Sequence, residues 1–304
     1  MKKIFTIIIL TFFLFYILGF PEESVRAASL GLNLWYEKML PTLLPFSILS
    51  HILIHSGILD RFAQIIHRFL KHVFPISSAG IYPLTAGLLF GFPMGSKITS
   101  ELVLSGKMSR EEGQRLFCIC NNISPVFIGS FILNESLRRP EFRFASYLIL
   151  YVPPLVLYMF WNRHKQFHVP PENLKKTASM NFQLIDAGIM NGFETLAKLG
   201  GYIILFAILA QMTTLLPISS PIVKCILIGF TEITNGIAYT ARQNLEFRLA
   251  YPFMMAYTAF GGLSGFAQTA SMVKDTGFSM LPYLKIKLLG TALSFGLALL
   301  LVQF

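Results

Sequence analysis

The residues best suited to bind a solute lie at breaks inside otherwise apolar stretches. The first break, residues 91–97, reads Gly-Phe-Pro-Met-Gly-Ser-Lys. Pro93 lacks a backbone donor and Gly95 permits non-helical turns, so we expect one helix to stop here and a half-helix, capped by Ser96, to begin. Lys97 adds a cation to the first turn. A helix N-terminus beside an ammonium group has the elements of an anion-binding site.

The corresponding break in the second half of the chain, residues 229–236, carries an acid. Glu232 lies inside an apolar stretch together with Thr234 and Asn235. Because an ionisable group is costly in a bilayer, such an acid usually has a function. It can bind a proton, contact the solute or pair with Lys97. The alternative is that the helix ends early and Glu232 lies at the membrane interface.

Two pairs of side chains lie one helical turn apart. Glu101 follows Lys97 at i+4, so the two side chains can form an ion pair, and Lys97 then has no role in binding a solute. A second alternative is that the Lys97 side chain extends to the membrane interface. His51 and His55 have a spacing that can hold zinc. No third ligand is evident, so we predict no metal site.

A second pair of breaks follows in the same order. Asn121, Asn122 and Ser124 precede a proline, which is the pattern of a capping serine before proline at the first helical position. The matching place in the second half, residues 259–268, is rich in glycine and ends at Gln268. These glycines have an alternative use as close contacts between helices, which is common in membranes.

The composition identifies the chain as a polytopic α-helical membrane protein. Of its 304 residues 54% are hydrophobic and only 13% charged, and the mean hydropathy is +0.61. A soluble protein of this size carries nearly twice that charged fraction. The net charge of +10 comes from lysines and arginines in short segments between apolar runs, so we expect no nucleic-acid partner. No catalytic constellation is present, so we predict neither an enzyme nor a cofactor.

Nine stretches are nearly free of charged residues. The first lies within residues 1–27, which we interpret as a retained membrane anchor, with a cleaved signal peptide as the alternative. Residues 58–72 and, more weakly, residues 182–199 have the spacing of amphipathic surface helices instead. The nine stretches are residues 4–20, 39–59, 73–96, 116–134, 144–161, 199–216, 225–241, 249–273 and 288–304.

The chain also matches itself. Pro-Ile-Ser-Ser at residues 75–78 recurs at 217–220, and two further matches keep the same order. We therefore predict two repeats, residues 28–161 and 182–304, joined by a basic cytoplasmic linker at 162–181. If one stretch in each half is re-entrant, the linker lies inside and the repeats are inverted, an arrangement with broken helices that many transporters use.

At these motifs the sequence resembles the nucleoside-recognition, or gate, domain family of bacterial membrane proteins, and within it the sporulation integral membrane protein type. The resemblance covers the first 140 residues well. It implies a transporter-like membrane protein and, for the sporulation type, export of the aromatic dicarboxylate dipicolinate. The matching residues are 31–35, 41–46, 91–97, Glu112 with Arg115 and Leu116, and 121–125.

We therefore expect a permease-like protein of the bacterial cytoplasmic or forespore membrane that moves a small anion between the two pairs of breaks. Lys97 would attract the anion, the amides at 121–122 would orient it, and Glu232 would couple or balance charge. The alternatives are a nucleoside or ion transporter of the gate family and a non-transporting scaffold in sporulation. The expected partners are the lipid bilayer, a small-molecule substrate and a second copy of the chain.

Overall fold

The computed structural model describes residues 2–56, 67–68, 74–163, 165, 167, 181–243 and 245–303. These residues form helices and loops with no strand among them, which confirms the all-α prediction. Four of their helices are long and apolar enough to cross a membrane, judged by length and composition. They are Pro21–Ser56, Pro140–Asn162, Phe182–Thr214 and Met280–Leu301.

The N-terminal part is helical almost without interruption. Helix α1 spans Lys2–Gly19 and helix α2 spans Pro21–Leu34. A π-helical segment, Trp35–Met39, leads into α3, Leu40–Ser56. Pro21 occupies the first position of α2, where a missing backbone donor costs nothing.

The rest of the first half consists of short helices followed by one long helix. The predicted stretches 73–96 and 116–134 are both broken, as expected. Helix α8 continues through two prolines, Pro153 and Pro154. The elements are α4 (Ile81–Leu89), α5 (Met94–Leu104), α6 (Arg110–Leu116), α7 (Pro125–Phe127, continued as the π-helix Ile128–Ser136), the 3-10 turn Pro140–Phe142 and α8 (Arg143–Asn162).

The second half repeats the pattern of broken helices. The elements are α9 (Phe182–Thr214), α10 (Pro221–Thr231), α11 (Ile233–Arg242), α12 (Phe247–Phe260), α13 (Gly262–Met272), the 3-10 turn Lys274–Thr276 and α14 (Met280–Leu301). The prediction of an amphipathic segment at 182–199 followed by a separate span at 199–216 was wrong. Both belong to the continuous helix α9, since no proline separates them.

Most of the predicted amphipathic helix at 58–72 and of the linker at 162–181 lies outside the described residues. The boundaries of the two repeats and their inverted orientation stay predictions. The anchor predicted at residues 1–27 corresponds to α1 and the start of α2.

Small residues bring the long helices together. Helix α9 packs against α2 and α3, and α14 packs against α8 and α12. A Cβ atom at Gly31 of α2 would lie 3.1 Å from the Ala207 side chain of α9. The Trp35 indole donates to the Leu196 carbonyl at 2.7 Å and lies against Gly200. This packing holds α2 and α3 against the second half of the chain.

Candidate functional site

Four interruptions of helical structure define the candidate site. Break 1 is residues 90–93, between α4 and α5, and break 2 is residues 117–124, between α6 and α7. Break 3 is Glu232, between α10 and α11, and break 4 is Gly261, between α12 and α13. All four occur where the sequence predicted non-helical chain.

Breaks 1 and 2 lie directly against each other. Gly91 has φ +84°, a conformation that favours glycine, and a Cβ atom there would stand 2.8 Å from the Ser124 nitrogen. The Phe92 N–H donates to the Asn122 carbonyl at 2.6 Å. Unwound backbone in a membrane protein must find partners within the protein. These two segments provide such partners for each other.

The carbonyl oxygen of Cys120 in break 2 contacts α4 and α5, the two short helices on either side of break 1. A Cβ atom at Gly87 would lie 1.6 Å from this oxygen, and one at Gly95 would lie 2.0 Å from it. Both positions therefore require glycine. Gly95, a predicted site residue, permits a close backbone approach.

Asn121 connects break 2 to both halves of the chain. Its side chain is fully buried, and its Oδ1 accepts from the Ser96 N–H at 3.1 Å. Its Nδ2 donates to the Ser96 hydroxyl and, at 2.9 Å, to the Thr269 hydroxyl of α13. The prediction that Ser96 caps the half-helix was wrong. Helix α5 begins at Met94, and Asn121 satisfies the Ser96 amide in the first turn in place of a local cap.

Break 3 is organised by Glu232 itself. One carboxylate oxygen accepts from the Thr234 N–H at 3.1 Å, and the other accepts from the Asn235 N–H at 2.8 Å and from its side-chain amide at 2.7 Å. Glu232 thus caps α11. It is buried, with 6% of its surface exposed, and it does not pair with Lys97.

Break 4 lies against break 3. Gly261 has φ +93° and Gly262 has φ +67°. A Cβ atom at Gly262 would lie 3.4 Å from the Thr231 carbonyl and 3.5 Å from the Ile233 nitrogen. The second half therefore repeats the arrangement of the first, with one break packed on the other.

The two pairs of breaks also meet. The Phe92 ring of break 1 lies against Gly265 of α13, where a Cβ atom would be 3.1 Å away. The Lys287 ammonium of α14 donates to the Asn121 carbonyl at 2.5 Å and to the Ala259 carbonyl at 3.3 Å. Lys287 thus bridges break 2 and the end of α12, next to break 4.

Lys287 is a buried cation without an acidic partner among the described residues. Its surface is 7% exposed, and no carboxylate in the described part of the chain lies within 4.0 Å of its nitrogen. Two carbonyl dipoles are its hydrogen-bond partners, and such dipoles neutralise a buried charge only in part. This electrostatic arrangement suits an anion.

The sequence reasoning missed Lys287. Counting charge-free stretches placed it one residue before the stretch 288–304, at an apparent helix end. Helix α14 begins at Met280 instead, so Lys287 lies inside the helix. The missed signal is the polar face formed by Tyr283, Lys287 and Thr291 at intervals of four residues.

Lys97 forms an ion pair with Glu101, as their i+4 spacing indicated. Its ammonium lies 3.4 Å from a Glu101 carboxylate oxygen and donates to the Ser47 hydroxyl of α3 at 2.5 Å. Lys97 is buried, with 5% of its surface exposed. The positive charge of α5 is therefore balanced locally, unlike that of Lys287.

The other predicted site residues contact nearby chain. Asn122 donates to the Ile119 carbonyl at 2.8 Å, and Gln268 donates to the Ser264 hydroxyl at 2.9 Å. Ser124 caps α7 as predicted, accepting from the Phe127 N–H at 3.3 Å. Pro93 immediately precedes α5.

The space beside Lys287 is closed. A cavity of about 10 Å³ is lined by Asn122, Ala259, Lys287 and Ser294, among others. This volume holds about one water molecule. A metabolite therefore requires the breaks to move apart.

The chain is similar in sequence to known membrane proteins. Residues 37–134 match the Gate family, described as nucleoside recognition. With its long apolar helices and its similarity to an integral membrane protein, the chain is a multi-pass membrane protein with a segment similar to the Gate family. Over 95% of its length it is 27% identical to the sporulation integral membrane protein YlbJ of Bacillus subtilis (strain 168), 81% of which is covered. These findings confirm the resemblance, and no solved structure matches the chain.

Proposed function

We propose that this protein is a membrane permease and that the four breaks form the binding site of a small organic anion. The observation that carries the proposal is the position of Lys287. Its ammonium bridges the backbone of break 2 and the end of α12, and no acid compensates it within the described chain. A dicarboxylate would supply the missing negative charge.

The neighbouring groups supply orientation. The Asn121 amide lies between Ser96 and Thr269, so a ligand that replaces either hydroxyl gains a directed hydrogen bond. The first turn of α5 adds backbone N–H groups and the positive end of its dipole. On this proposal Glu232, with Thr234 and Asn235, balances charge on the opposite pair of breaks.

The closed cavity corresponds to a conformation between two open ones. In transporters with broken helices, the two bundles rock around a central site so that it opens to one side at a time. Breaks 1 and 2 are packed on each other through glycine and a backbone hydrogen bond, and breaks 3 and 4 through glycine. Such an interface can separate without unfolding a long helix.

The uncompensated charge of Lys287 supports an anionic substrate, and the resemblance to the sporulation type suggests which anion to test first. YlbJ is named as a sporulation protein, and the resemblance to the sporulation type implies dipicolinate. The description of the Gate family supplies a second candidate, a nucleoside. An uncharged nucleoside would leave Lys287 without a counter-ion, so we favour the dicarboxylate.

The test compares dipicolinate with uridine. We expect dipicolinate to raise the unfolding temperature of the purified protein and to enter proteoliposomes that contain it, and we expect no such effect of uridine. Stabilisation by uridine alone would favour nucleoside transport. Absence of stabilisation and of uptake with either solute would refute the permease and favour a scaffold.

A further inference from the structure

Helix α8 contains two adjacent prolines, Pro153 and Pro154. Because Pro153 has no backbone N–H, the Ile149 carbonyl, four residues earlier, lacks its helical donor. The Ser294 hydroxyl of α14 donates to this carbonyl at 2.7 Å. Ser294 is fully buried, and α14 packs against α8. A side chain of α14 therefore supplies the hydrogen bond that the sequence of α8 removes.

The two halves of α8 are bonded to different parts of the protein. Before the prolines, the Tyr151 hydroxyl donates to the Ile123 carbonyl of break 2 at 2.7 Å. After the prolines, the Tyr158 hydroxyl donates to the Pro75 carbonyl at 3.1 Å. Helices bend at proline because the ladder of hydrogen bonds is already interrupted there. The proline pair is therefore the place where one half of α8 can move relative to the other.

The serine that bonds to α8 also lines the cavity beside Lys287. This cavity is bounded by Leu150 and Pro154 of α8 and by Lys287 and Ser294 of α14, among others. Bending at the prolines moves the wall that α8 forms and enlarges the cavity. Ser294 follows Lys287 by two helical turns, so the two residues lie on one face of α14, about 10 Å apart along its axis. A solute between α8 and α14 thus meets an ammonium group and a hydroxyl.

The Ser294 hydroxyl has a single hydrogen to donate. It can donate to the Ile149 carbonyl or to an anion, but not to both. The anion is the stronger acceptor, since a charge-assisted hydrogen bond is roughly twice as strong as a neutral one. When Ser294 turns to an anion, the buried Ile149 carbonyl loses its donor, which is costly. The closed form of α8 is then destabilised.

We propose that Ser294 is a second anion-binding residue and that its hydrogen bond to Ile149, here called the latch, keeps the proline pair of α8 in the closed form. The anion contact rests on the proposed function, whereas the latch does not. An anion that binds Lys287 with one carboxylate and Ser294 with another breaks the latch and opens the wall of the cavity. This arrangement suits a dicarboxylate.

The reactivity of Cys118 tests the latch without a ligand. All three cysteines are buried, and Cys118 lines the cavity, so N-ethylmaleimide should reach it when the cavity opens. In the purified full-length protein, we expect Ser294→Ala to raise the alkylation rate of Cys118, followed by mass spectrometry, about three- to tenfold. This is the factor by which losing one hydrogen bond shifts an opening equilibrium.

Ser146→Ala is the matched control for the loss of a buried serine hydroxyl. Ser146 lies on α8 and is fully buried, and its hydroxyl bonds to the Tyr251 hydroxyl of α12 at 3.0 Å. It bonds to neither Ile149 nor the cavity wall, so this variant should keep the wild-type rate. An equal rise in Ser146→Ala would show a general loss of packing and would overturn the latch.

A second substitution separates the latch from a gap left by the missing hydroxyl. Pro153→Ala supplies a backbone N–H to the Ile149 carbonyl, which then no longer depends on Ser294. Combining Pro153→Ala with Ser294→Ala should therefore return Cys118 to the wild-type alkylation rate. An unchanged rate in Ser294→Ala, or a raised rate that Pro153→Ala does not reverse, would overturn the latch.

Calorimetric titration with dipicolinate tests the anion contact. In Pro153→Ala, anion binding no longer leaves Ile149 without a donor, so we expect an affinity about three- to tenfold tighter than in the wild type. Adding Ser294→Ala to this background removes one charge-assisted hydrogen bond and should weaken binding by about tenfold or more.

The outcomes of the titration are distinct. Equal affinities in Pro153→Ala with and without Ser294→Ala would overturn the assignment of Ser294 to the anion site and leave the permease intact. Absence of dipicolinate binding to the wild type would refute the proposed function and the anion contact with it. The alkylation rates would still decide whether the latch exists.

Discussion

Replacing Lys287 with methionine removes the cation that bridges break 2 and the end of α12 but keeps an unbranched apolar side chain. The ammonium donates to the carbonyls of Asn121 and Ala259. Lys285→Met is the matched control. It lies two residues earlier on α14, and its side chain is exposed.

The size of the effect on stability follows from two opposed terms. Two buried carbonyls lose their donor, at roughly 1–3 kcal/mol each. The cost of burying the charge disappears at the same time, and this cost is several kcal/mol for an isolated ion. We therefore expect the free energy of unfolding to change by less than about 3 kcal/mol, so that the variant folds.

The effect on binding has no such compensation. A charge-assisted hydrogen bond between Lys287 and a carboxylate contributes about 1.5–3 kcal/mol. Its loss weakens dipicolinate binding by about 10- to 150-fold. Calorimetric titration at fixed pH and ionic strength measures this change. A Lys287→Met affinity within about twofold of wild type, or an equal loss in Lys285→Met, would refute the assignment of Lys287 to the anion site.

Three further predictions concern the breaks and their surroundings. Gly95→Ala places a Cβ atom against the Cys120 carbonyl oxygen, so we expect the free energy of unfolding, measured by a thermal melt, to fall by about 3 kcal/mol or more. The control is Gly201→Ala, where the Cβ atom meets no other atom, and we expect a change of less than about 1 kcal/mol. Gly261→Ala meets no atom but must adopt φ +93°, so a loss of about 1–2 kcal/mol is expected, and an unchanged melting temperature would show that break 4 can rearrange. Burial raises the pKa of Glu112, in the short helix α6 outside the four long apolar helices, from 4.5 to about 7. The folded protein then binds a proton that the unfolded chain has released, so unfolding temperatures should fall as pH rises from about 4.5 to 7, and Glu112→Gln should make this slope shallower.

The sequence predicted the positions of the breaks because each has a local cause. Proline removes a donor in break 1, Ser124 before a proline restarts a helix after break 2, and adjacent glycines permit the turn at break 4. Glu101 was likewise recognisable as a partner of Lys97, since i+4 neighbours on a helix must meet. Such signals operate within one helical turn.

The contacts between breaks have no local signal. Asn121 caps α5 from 25 residues away along the chain, and Lys287 reaches Asn121 across 166 residues. These contacts depend on how whole helices pack. Counting charge-free stretches also divided α9 wrongly, because Lys198 interrupts the apolar sequence although the helix continues through it. Gly200, inside this helix, lets the Trp35 ring approach.

The central claim is that the four breaks together hold one anion, and amide hydrogen exchange tests it directly. Unwound segments that close on a ligand should exchange more slowly when it binds. With saturating dipicolinate, we predict slower exchange in peptides that cover residues 90–96, 117–124, 229–236 and 259–265 at once. Unchanged exchange in all four, or protection confined to residues 187–197 of α9, would contradict the account.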